Sequence, residues 1–507
     1  MHFISTRSKE RVRAEEAILM GYPKDGGLFV PESFPIVSDE ELSLMIEESY
    51  PERVARILGK FFDFGEDFLK RVCEEGYARF LGEDPLPIIR IDEGKYILEL
   101  FHGPTCAKED VSITLFPPIY EKCKELCQDK RDRLFLMATS GDAGKATTEI
   151  FKGYKGVKVA AFYPEENIGR LQRLCLCISD GDNLLVSGVQ GTFEDCHNLV
   201  KSVFYSKELS EYLEEKNMAV STLSSANIFR IIPDIACYFS AYLDLLSSDQ
   251  IEKGEMVDFS VPAGNGCGLI AGYYAKKMGL PIRKILSCTN RNRAYYDFFK
   301  KGMIDGTRVF RHTMSPSMDV SLPTNLERFL FEGTDRNFEK TKERMLAIKE
   351  EETELLKEEE RRKLAQDVFS GFAAEDETVD SIYEVFEEYG YPMDTHTGVA
   401  MAVCDKVLAK RDEKDKTKVI VLSVANFYKF PQESLYALAA GDVKDSFKGI
   451  KRLNLLTAAK PPKFLIDFRY KTPRFKQVLP QEEGKILAEI KDFLNGKVIA
   501  SPPPPKR

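Results

Sequence analysis

Leu134-Phe135-Leu136-Met137-Ala138-Thr139 is a short apolar run that leads directly into Ser140-Gly141-Asp142-Ala143-Gly144, and helical spacing begins at Lys145. An apolar run of this length, followed by a glycine-rich turn and a helix, is typical of a buried parallel strand. Similar patterns predict further strands at residues 157–163, 256–262, 284–288 and 418–425, and a helix at 269–278. This alternation predicts an α/β fold with parallel sheets buried on both faces.

Bulk composition narrows the class of protein. The 507 residues are 43% hydrophobic and 30% charged, which is ordinary for a globular chain of roughly two to four domains. The net charge of −9 gives no reason to expect a nucleic-acid or membrane partner. The charged N-terminal stretch lacks a signal-peptide core, and no run of roughly 18 apolar residues occurs, so we expect a cytoplasmic location.

The 11 cysteines show no CxxC pair and no framework spacing, which indicates reduced thiols. Cys123 and Cys127, with Cys175 and Cys177, could ligate a metal. Because no histidine cluster accompanies them, we expect buried small apolar residues and no metal site.

Three regions are expected along the chain. Residues 1–95 are predicted to be mainly helical, residues 96–440 to carry the α/β domains, and residues 441–507 to form a helical extension with a Pro-rich tail. Within a charged segment at about 335–390, Lys342–Glu360 is predicted to form one long exposed helix. Helical spacing is also present at Glu482–Leu494, and Ser501–Arg507 is predicted to be a frayed polyproline end.

Two glycine-rich turns follow predicted strands and precede helices. They are Ser140-Gly141-Asp142-Ala143-Gly144 and Gly264-Asn265-Gly266-Cys267-Gly268. Glycine allows a close approach of the backbone, and the free N–H groups of a helix N-terminus bind anions. In a parallel sheet such loops lie at the same edge, where ligands bind. The residues alone therefore predict one or two anionic small molecules bound between α/β domains.

Motifs in the same order along nearly the whole chain resemble those of the threonine synthase family. They lie at residues 4–7, 23–32, 98–110, 138–144, 189–196, 225–231, 262–279, 315–319, 325–328, 394–397 and 422–431. The resemblance implies fold type II of the pyridoxal phosphate (PLP) enzymes, as in the tryptophan synthase β chain. That fold has two open α/β domains around a cleft, here with a mainly helical N-terminal domain.

The resemblance also implies an activity and a set of site residues. The family converts O-phosphohomoserine and water to threonine and phosphate, with PLP as the electron sink. The matching cofactor positions are Gly264, Asn265, Gly266, Cys267, Gly268, Ser423 and Val424. The matching substrate positions are Ser140, Gly141, Asp142, Ala143, Gly144 and Asn227.

The segment Leu98–Asp110 departs from the family at the lysine that would bind PLP. Counted from Gly103-Pro104-Thr105, the lysine position falls on Glu109, and Lys108 stands one residue earlier. A carboxylate cannot form a Schiff base. On a helix one residue is a rotation of roughly 100°, so we expect the Lys108 amine to point away from the direction of Glu109. At Val424, where the family has a threonine that would bond the pyridine nitrogen, the side chain neither donates nor accepts.

Three hypotheses remain open. The chain is a threonine synthase in which Lys108 replaces the usual lysine, or a catalytically inactive homologue that binds a ligand or a protein partner. The third is a PLP-free enzyme that uses Glu109 as an acid or base, for which no nucleophile–base pair stands out. The side chain that enters the cleft beside Gly264–Gly268 is expected to discriminate between the first two.

Overall fold

The computed structural model describes residues 1–166, 168–306, 308–348, 352–439 and 441–497. The strands are β1 (His2–Ser5), β2 (Arg11–Arg13), β3 (Phe29–Pro31), β4 (Ile88–Asp92), β5 (Lys95–Glu99), β6 (Asp132–Ala138), β7 (Val157–Pro164), β8 (Leu184–Val189), β9 (Met218–Ser221), β10 (Val257–Pro262), β11 (Ile282–Thr289), β12 (Met303–Asp305), β13 (Glu352–Glu354), β14 (Val368–Phe372), β15 (Val419–Ser423) and β16 (Val478–Leu479).

The helices alternate with these strands through most of the chain. They are α1 (Ala14–Met20), α2 (Asp39–Met45), α3 (Tyr50–Phe61), α4 (Glu66–Tyr77), α5 (Asp110–Ile113), α6 (Phe116–Cys127), α7 (Asp142–Ile150), α8 (Arg170–Cys177), α9 (Phe193–Tyr205), α10 (Lys207–Glu215), α11 (Ile232–Ser247), α12 (Cys267–Lys277), α13 (Ala294–Lys301), α14 (Leu326–Gly333), α15 (Phe338–Ala347), α16 (Glu358–Leu364), α17 (Glu375–Tyr389), α18 (Thr395–Leu408), α19 (Pro431–Ala439), α20 (Ser446–Thr457), α21 (Lys463–Asp467) and α22 (Glu483–Leu494).

Two sheets form the centre of the α/β fold. The larger has the order β14-β11-β10-β15-β5-β4, and its neighbours are parallel except for the antiparallel edge pair β4–β5. The smaller, β16-β8-β7-β6-β9, is parallel throughout. The predicted parallel α/β architecture and its strands at β6, β7, β10, β11 and β15 are confirmed.

The N-terminal region contains α1 to α4, as its helical spacing predicted. It also forms a small antiparallel sheet of order β2-β1-β3, which the sequence did not reveal. These three strands are only three or four residues long, so their apolar pattern was too short to recognise. Phe3 and Phe29 on them are fully buried in the main core cluster.

The long helix predicted for Lys342–Glu360 is wrong. Helix α15 ends at Ala347, β13 pairs antiparallel with β12, and α16 begins at Glu358. Leu355 and Leu356 are buried. The free energy gained by burying these two leucines offsets the cost of interrupting the helix in an otherwise charged stretch.

Other predictions for the outer segments have mixed outcomes. The helix at Glu482–Leu494 is confirmed as α22. Cys123, Cys175 and Cys177 are buried as expected, and Cys127 is half-buried. The polyproline end at Ser501–Arg507 lies outside the described residues. Among the described residues, no helix combines the length and apolarity needed to cross a membrane.

Candidate functional site

A cleft opens where loops from the two sheets meet. Residues that follow β6 line one side, and residues that follow β10 and β15 line the other. The lining comprises Lys108, Glu109, Ala138, Thr139, Ser140, Asp142, Ala143, Phe193, His197, Ser224, Ser225, Val261, Pro262, Gly264, Asn265, Gly266, Cys267, Gly268, Ser317, Met318, Thr324, His396, Leu422, Val424 and Ala425. The two glycine-rich turns predicted from the sequence are thus brought together, at the edge where ligands bind in α/β sheets.

The turn between β10 and α12 forms an anion cradle. Gly266 has φ +82°, and a methyl group there would lie 1.8 Å from the hydroxyl of Tyr295, so only glycine fits. The Asn265 side chain accepts the N–H of Cys267 at 2.9 Å. The next N–H groups of α12 have no acceptor within the helix, and they lie at the positive end of its dipole. The cradle therefore favours a phosphate or carboxylate.

Lys108 enters this cleft but does not present a free amine. A methyl group on Gly268 would lie 3.4 Å from Lys108 Cε, so the side chain runs beside the cradle. Its Nζ donates to Asp234 Oδ2 on α11, and the two residues are 8% and 1% exposed. Burial alone would lower the pKa of Lys108, but the attraction of Asp234 outweighs burial and the pKa is raised. Lys108 is held as an ammonium.

Lys108 and Glu109 both line the cleft, so the expectation that the Lys108 amine points away from the direction of Glu109 is wrong. The expectation assumed a helix, whereas Ala107 forms an isolated bridge with Ala425, and α5 begins only at Asp110. The backbone N–H of Lys108 donates to the carbonyl of Val424 at 2.8 Å. Residues 108 and 109 thus belong to a turn between a bridge and a helix, and both side chains reach the same space.

The Glu109 carboxylate faces a buried guanidinium. Glu109 Oε1 lies 3.9 Å from an Nη atom of Arg230, and the Glu109 side chain is 20% exposed. Arg230 is anchored by Ser112 Oγ at 2.8 Å and by the carbonyl of Leu223 at 3.1 Å. The long contact leaves the carboxylate available to a group within the cleft.

A second buried lysine pairs with Asp142 of the cleft lining. Lys429 Nζ lies 2.6 Å from Asp142 Oδ1 and donates to the carbonyl of Thr105 at 3.0 Å. Burial opposes its charge, yet Asp142 raises the pKa of Lys429 above its ordinary value. This lysine is also held as an ammonium.

Two histidines complete the polar lining. His396 lies with Nδ1 2.8 Å from Asp394 Oδ1, while its Nε2 accepts the N–H of Ser317 at 3.2 Å, so the tautomer carries its proton on Nδ1. By contrast, Nε2 of His197 is buried, and no described residue forms a hydrogen bond with it. Burial lowers the pKa of His197 to about 4, so it is neutral near pH 7.

Several predicted site residues support the cleft from outside its lining. The N–H groups of Gly141 and Gly144 donate to Thr139 Oγ1 at 3.0 and 2.9 Å, which shapes the turn before α7. Ser423 is fully buried, with Oγ 3.1 Å from Thr397 Oγ1. Asn227 is fully buried and donates to the carbonyls of Ile18 and Thr222. The structure therefore uses Asn227 to hold the N-terminal region, away from the cleft.

Sequence reasoning missed the charged partners in the site. The sequence alone assigns no role to Asp234, Arg230 or Lys429, although Arg230 and Lys429 lie inside the family motifs at residues 225–231 and 422–431. An acidic residue within the apolar run of α11 was the one local signal that could have identified Asp234, because buried carboxylates need a partner.

The residues present do not fit covalently held PLP. The cradle of α12 suits a phosphate, but the nearby amine is an ammonium bound to Asp234, and the family lysine position carries the Glu109 carboxylate. At Val424 the cleft presents a side chain without a hydrogen-bonding atom. The turn before α12 thus offers N–H donors to an anion, whereas neither Glu109 nor the protonated Lys108 offers a nucleophilic amine.

Comparison with known proteins identifies the family. The profile of the threonine synthase N terminus matches residues 2–77. The chain is 32% identical over 466 residues to human threonine synthase-like 1, which covers 88% of this chain but 62% of that protein, less than two thirds of its length. It is 31% identical over 468 residues to the threonine synthase of Schizosaccharomyces pombe, which covers 86% of this chain and 89% of that protein.

Solved structures agree with this assignment and with the fold expected from the resemblance. The PLP-bound threonine synthase from Brucella melitensis aligns with a TM-score of 0.82 at 28% identity, over 98% of this chain and 100% of that chain. Yeast threonine synthase aligns with a TM-score of 0.83 at 26% identity, over 97% of this chain and 99% of that chain. Fold type II is thereby confirmed, and the chain belongs to the threonine synthase family.

Proposed function

We propose that this chain binds a phosphorylated or carboxylated small molecule non-covalently in the cleft, without Schiff-base chemistry. The observation that carries the proposal is the buried ion pair between Lys108 and Asp234. Attack on an aldehyde requires a neutral amine with a free lone pair. The raised pKa of Lys108, which burial alone would lower and Asp234 raises, keeps that amine protonated.

The rest of the cleft supports non-covalent binding. The cationic side chains Lys108, Arg230 and Lys429 each lie within 4 Å of a carboxylate of the same chain. These buried charges in and around the cleft are therefore balanced within the chain, which lowers the cost of burying them. The N-terminus of α12 still offers N–H donors to an anion.

A second candidate is threonine synthesis with Lys108 as the lysine that binds PLP. It is favoured by one observation, the closeness of Lys108 Cε to the cradle at Gly268. For this candidate Asp234 has to release the amine before an aldehyde can react with it.

One experiment separates the two candidates. The purified protein is titrated with PLP, treated with borohydride and digested. The mass of the peptide that contains residues 108 and 109 is then measured by mass spectrometry. Non-covalent binding predicts no reduced adduct on that peptide at saturating PLP. An adduct on Lys108 would refute the first proposal and make an assay of O-phosphohomoserine turnover the next step.

Anion binding itself is tested with inorganic phosphate and PLP by calorimetry and thermal shift. Asn265→Asp places a carboxylate in the cradle at nearly constant size and is expected to abolish binding of both anions. Asn217→Asp, at an exposed turn outside the cleft, makes the same change in net charge and is the control. Equal binding by all three proteins would contradict the assignment of the cradle.

A further inference from the structure

Three helices, α17, α19 and α20, pack side by side over one part of the hydrophobic core. Helix α19 packs between α17 and α20. Their inner faces belong to one core cluster, to which Ile382, Val385, Leu435, Ile450 and Leu453 contribute. Their outer faces therefore form a continuous surface.

The outer face of α17 is an acidic ridge. Five carboxylates with helical spacing are exposed, and none forms an ion pair within the described chain; they are Asp376, Asp380, Glu384, Glu387 and Glu388. Together they give α17 an acidic outer face whose potential attracts a basic surface.

The outer face of α20 is a basic ridge on the other side of α19. Lys448, Lys451 and Arg452 are exposed, with the latter two three and four residues after the first. The described residues provide no carboxylate within ion-pair distance of them. Exposed Lys444 and Lys460, at either end of the helix, extend the same charge. The two ridges thus carry opposite signs on one surface of a chain whose net charge is −9.

Large apolar side chains lie on the same three helices. Tyr383 and Tyr389 on α17 are 46% and 40% exposed, Tyr436 on α19 is 53% exposed, and Leu455 and Leu456 on α20 are 76% and 40% exposed. Exposed apolar groups next to polar ridges are typical of protein–protein interfaces.

We propose that this three-helix surface binds a second copy of the chain in a symmetric dimer. A two-fold axis along α19 brings the acidic α17 of each copy opposite the basic α20 of the other. The same axis places Tyr436 of one copy opposite Tyr436 of the other. In such an isologous contact the pairing of α17 with α20 occurs twice, once on each side of the axis. The assembly therefore stops at two copies. Anionic lipid or nucleic acid suits the surface less well, because α17 would repel either.

The size of the surface predicts a dimer of modest, salt-sensitive affinity. A helix of 15 residues is about 22 Å long, and three helices side by side are about 27 Å wide, so the layer covers roughly 600 Å². Stable interfaces bury about 800 Å² per partner. Attraction between the exposed charges weakens as salt is added. At about 0.15 M salt, charges more than about 8 Å apart are largely screened from each other.

Sedimentation velocity on the full chain tests the dimer. At low salt and rising concentration the mass is expected to move from 57.6 kDa to twice that value, and to return towards the monomer at high salt. A monomer at every concentration, or open-ended larger assemblies, would overturn the proposal.

Charge reversal tests the pairing of α17 with α20. Variant one carries Lys451→Glu and Arg452→Glu, variant two carries Glu384→Lys and Glu387→Lys, and each alone is expected to be monomeric. Their equimolar mixture is expected to regain the dimer, because each acidic ridge then meets a basic one. Failure of the mixture to dimerise, or dimers in either variant alone, would refute this arrangement. Lys130→Glu with Lys155→Glu, exposed elsewhere, is the control and is expected to dimerise.

Discussion

Lys108, which lines the cleft, and Asp234, 126 residues away in the sequence, form a buried ion pair. The pair joins the turn before α5 to the first turn of α11. It holds the amine beside Gly268 as a cation whose charge Asp234 balances, and a protonated amine is unsuited to nucleophilic attack.

Asp234→Asn should release the amine of Lys108. Without the carboxylate, burial alone acts on the lysine and lowers its pKa, so a larger fraction is neutral. We expect a borohydride-stable PLP adduct on the peptide that contains residue 108 in the variant and not in the wild type, measured by mass spectrometry.

The matched control for that experiment is Asp244→Asn. Asp244 lies on the same helix and pairs with Arg53, away from the cleft. It is expected to leave the PLP reaction unchanged. If Lys108 of Asp234→Asn also stays unmodified, the ion pair is not what withholds the amine.

Lys108→Met should destabilise the fold more than its size suggests. The change leaves Asp234 buried without a counter-charge, which typically costs about 3–5 kcal/mol. Adding Asp234→Asn removes the orphaned charge and should recover part of the loss. Urea unfolding of the two single variants and the double variant measures the coupling, and simple additivity would argue against it.

His197 should make stability depend on pH. Burial lowers the pKa of His197 to about 4, from an ordinary value of 6.5. Between these values the unfolded chain binds a proton that the folded chain does not, so the free energy of unfolding falls as the pH drops from 6.5 to 4, by at most about 3 kcal/mol. His197→Gln should flatten this slope in urea unfolding curves, whereas His2→Gln, on half-buried residue 2, should retain it.

Glu109→Gln should strengthen anion binding. Removal of a carboxylate from the cleft removes repulsion of a bound phosphate, for which a gain of about 1 kcal/mol, or roughly fivefold in Kd, is expected at an effective dielectric constant near 20. Calorimetry with inorganic phosphate measures the change. Glu75→Gln on the exposed face of α4 is the control. Equal phosphate affinities for both variants would show that the Glu109 charge does not act on the bound anion.

Local pattern explains which elements were predictable. Strands β6 and β10 have apolar runs that end in glycine-rich turns, and both turns line the cleft as expected. The helix expected at Lys342–Glu360 failed because the burial of Leu355 and Leu356 is a tertiary event that charge spacing does not report. The side-chain direction of Lys108 failed for a related reason, since the bridge between Ala107 and Ala425 sets the local backbone.

The sequence by itself determined the α/β alternation around β6, β7, β10, β11 and β15, the two glycine-rich turns, the carboxylate at residue 109 and the family motifs. These depend on residue types at short spacing, where backbone geometry is local. Only the tertiary structure decided that Lys108 pairs with Asp234, Glu109 with Arg230 and Lys429 with Asp142. Which buried charges pair depends on which helices and turns pack together. Because an unpaired buried charge is costly, each one pairs with the opposite charge that the packing places nearest to it.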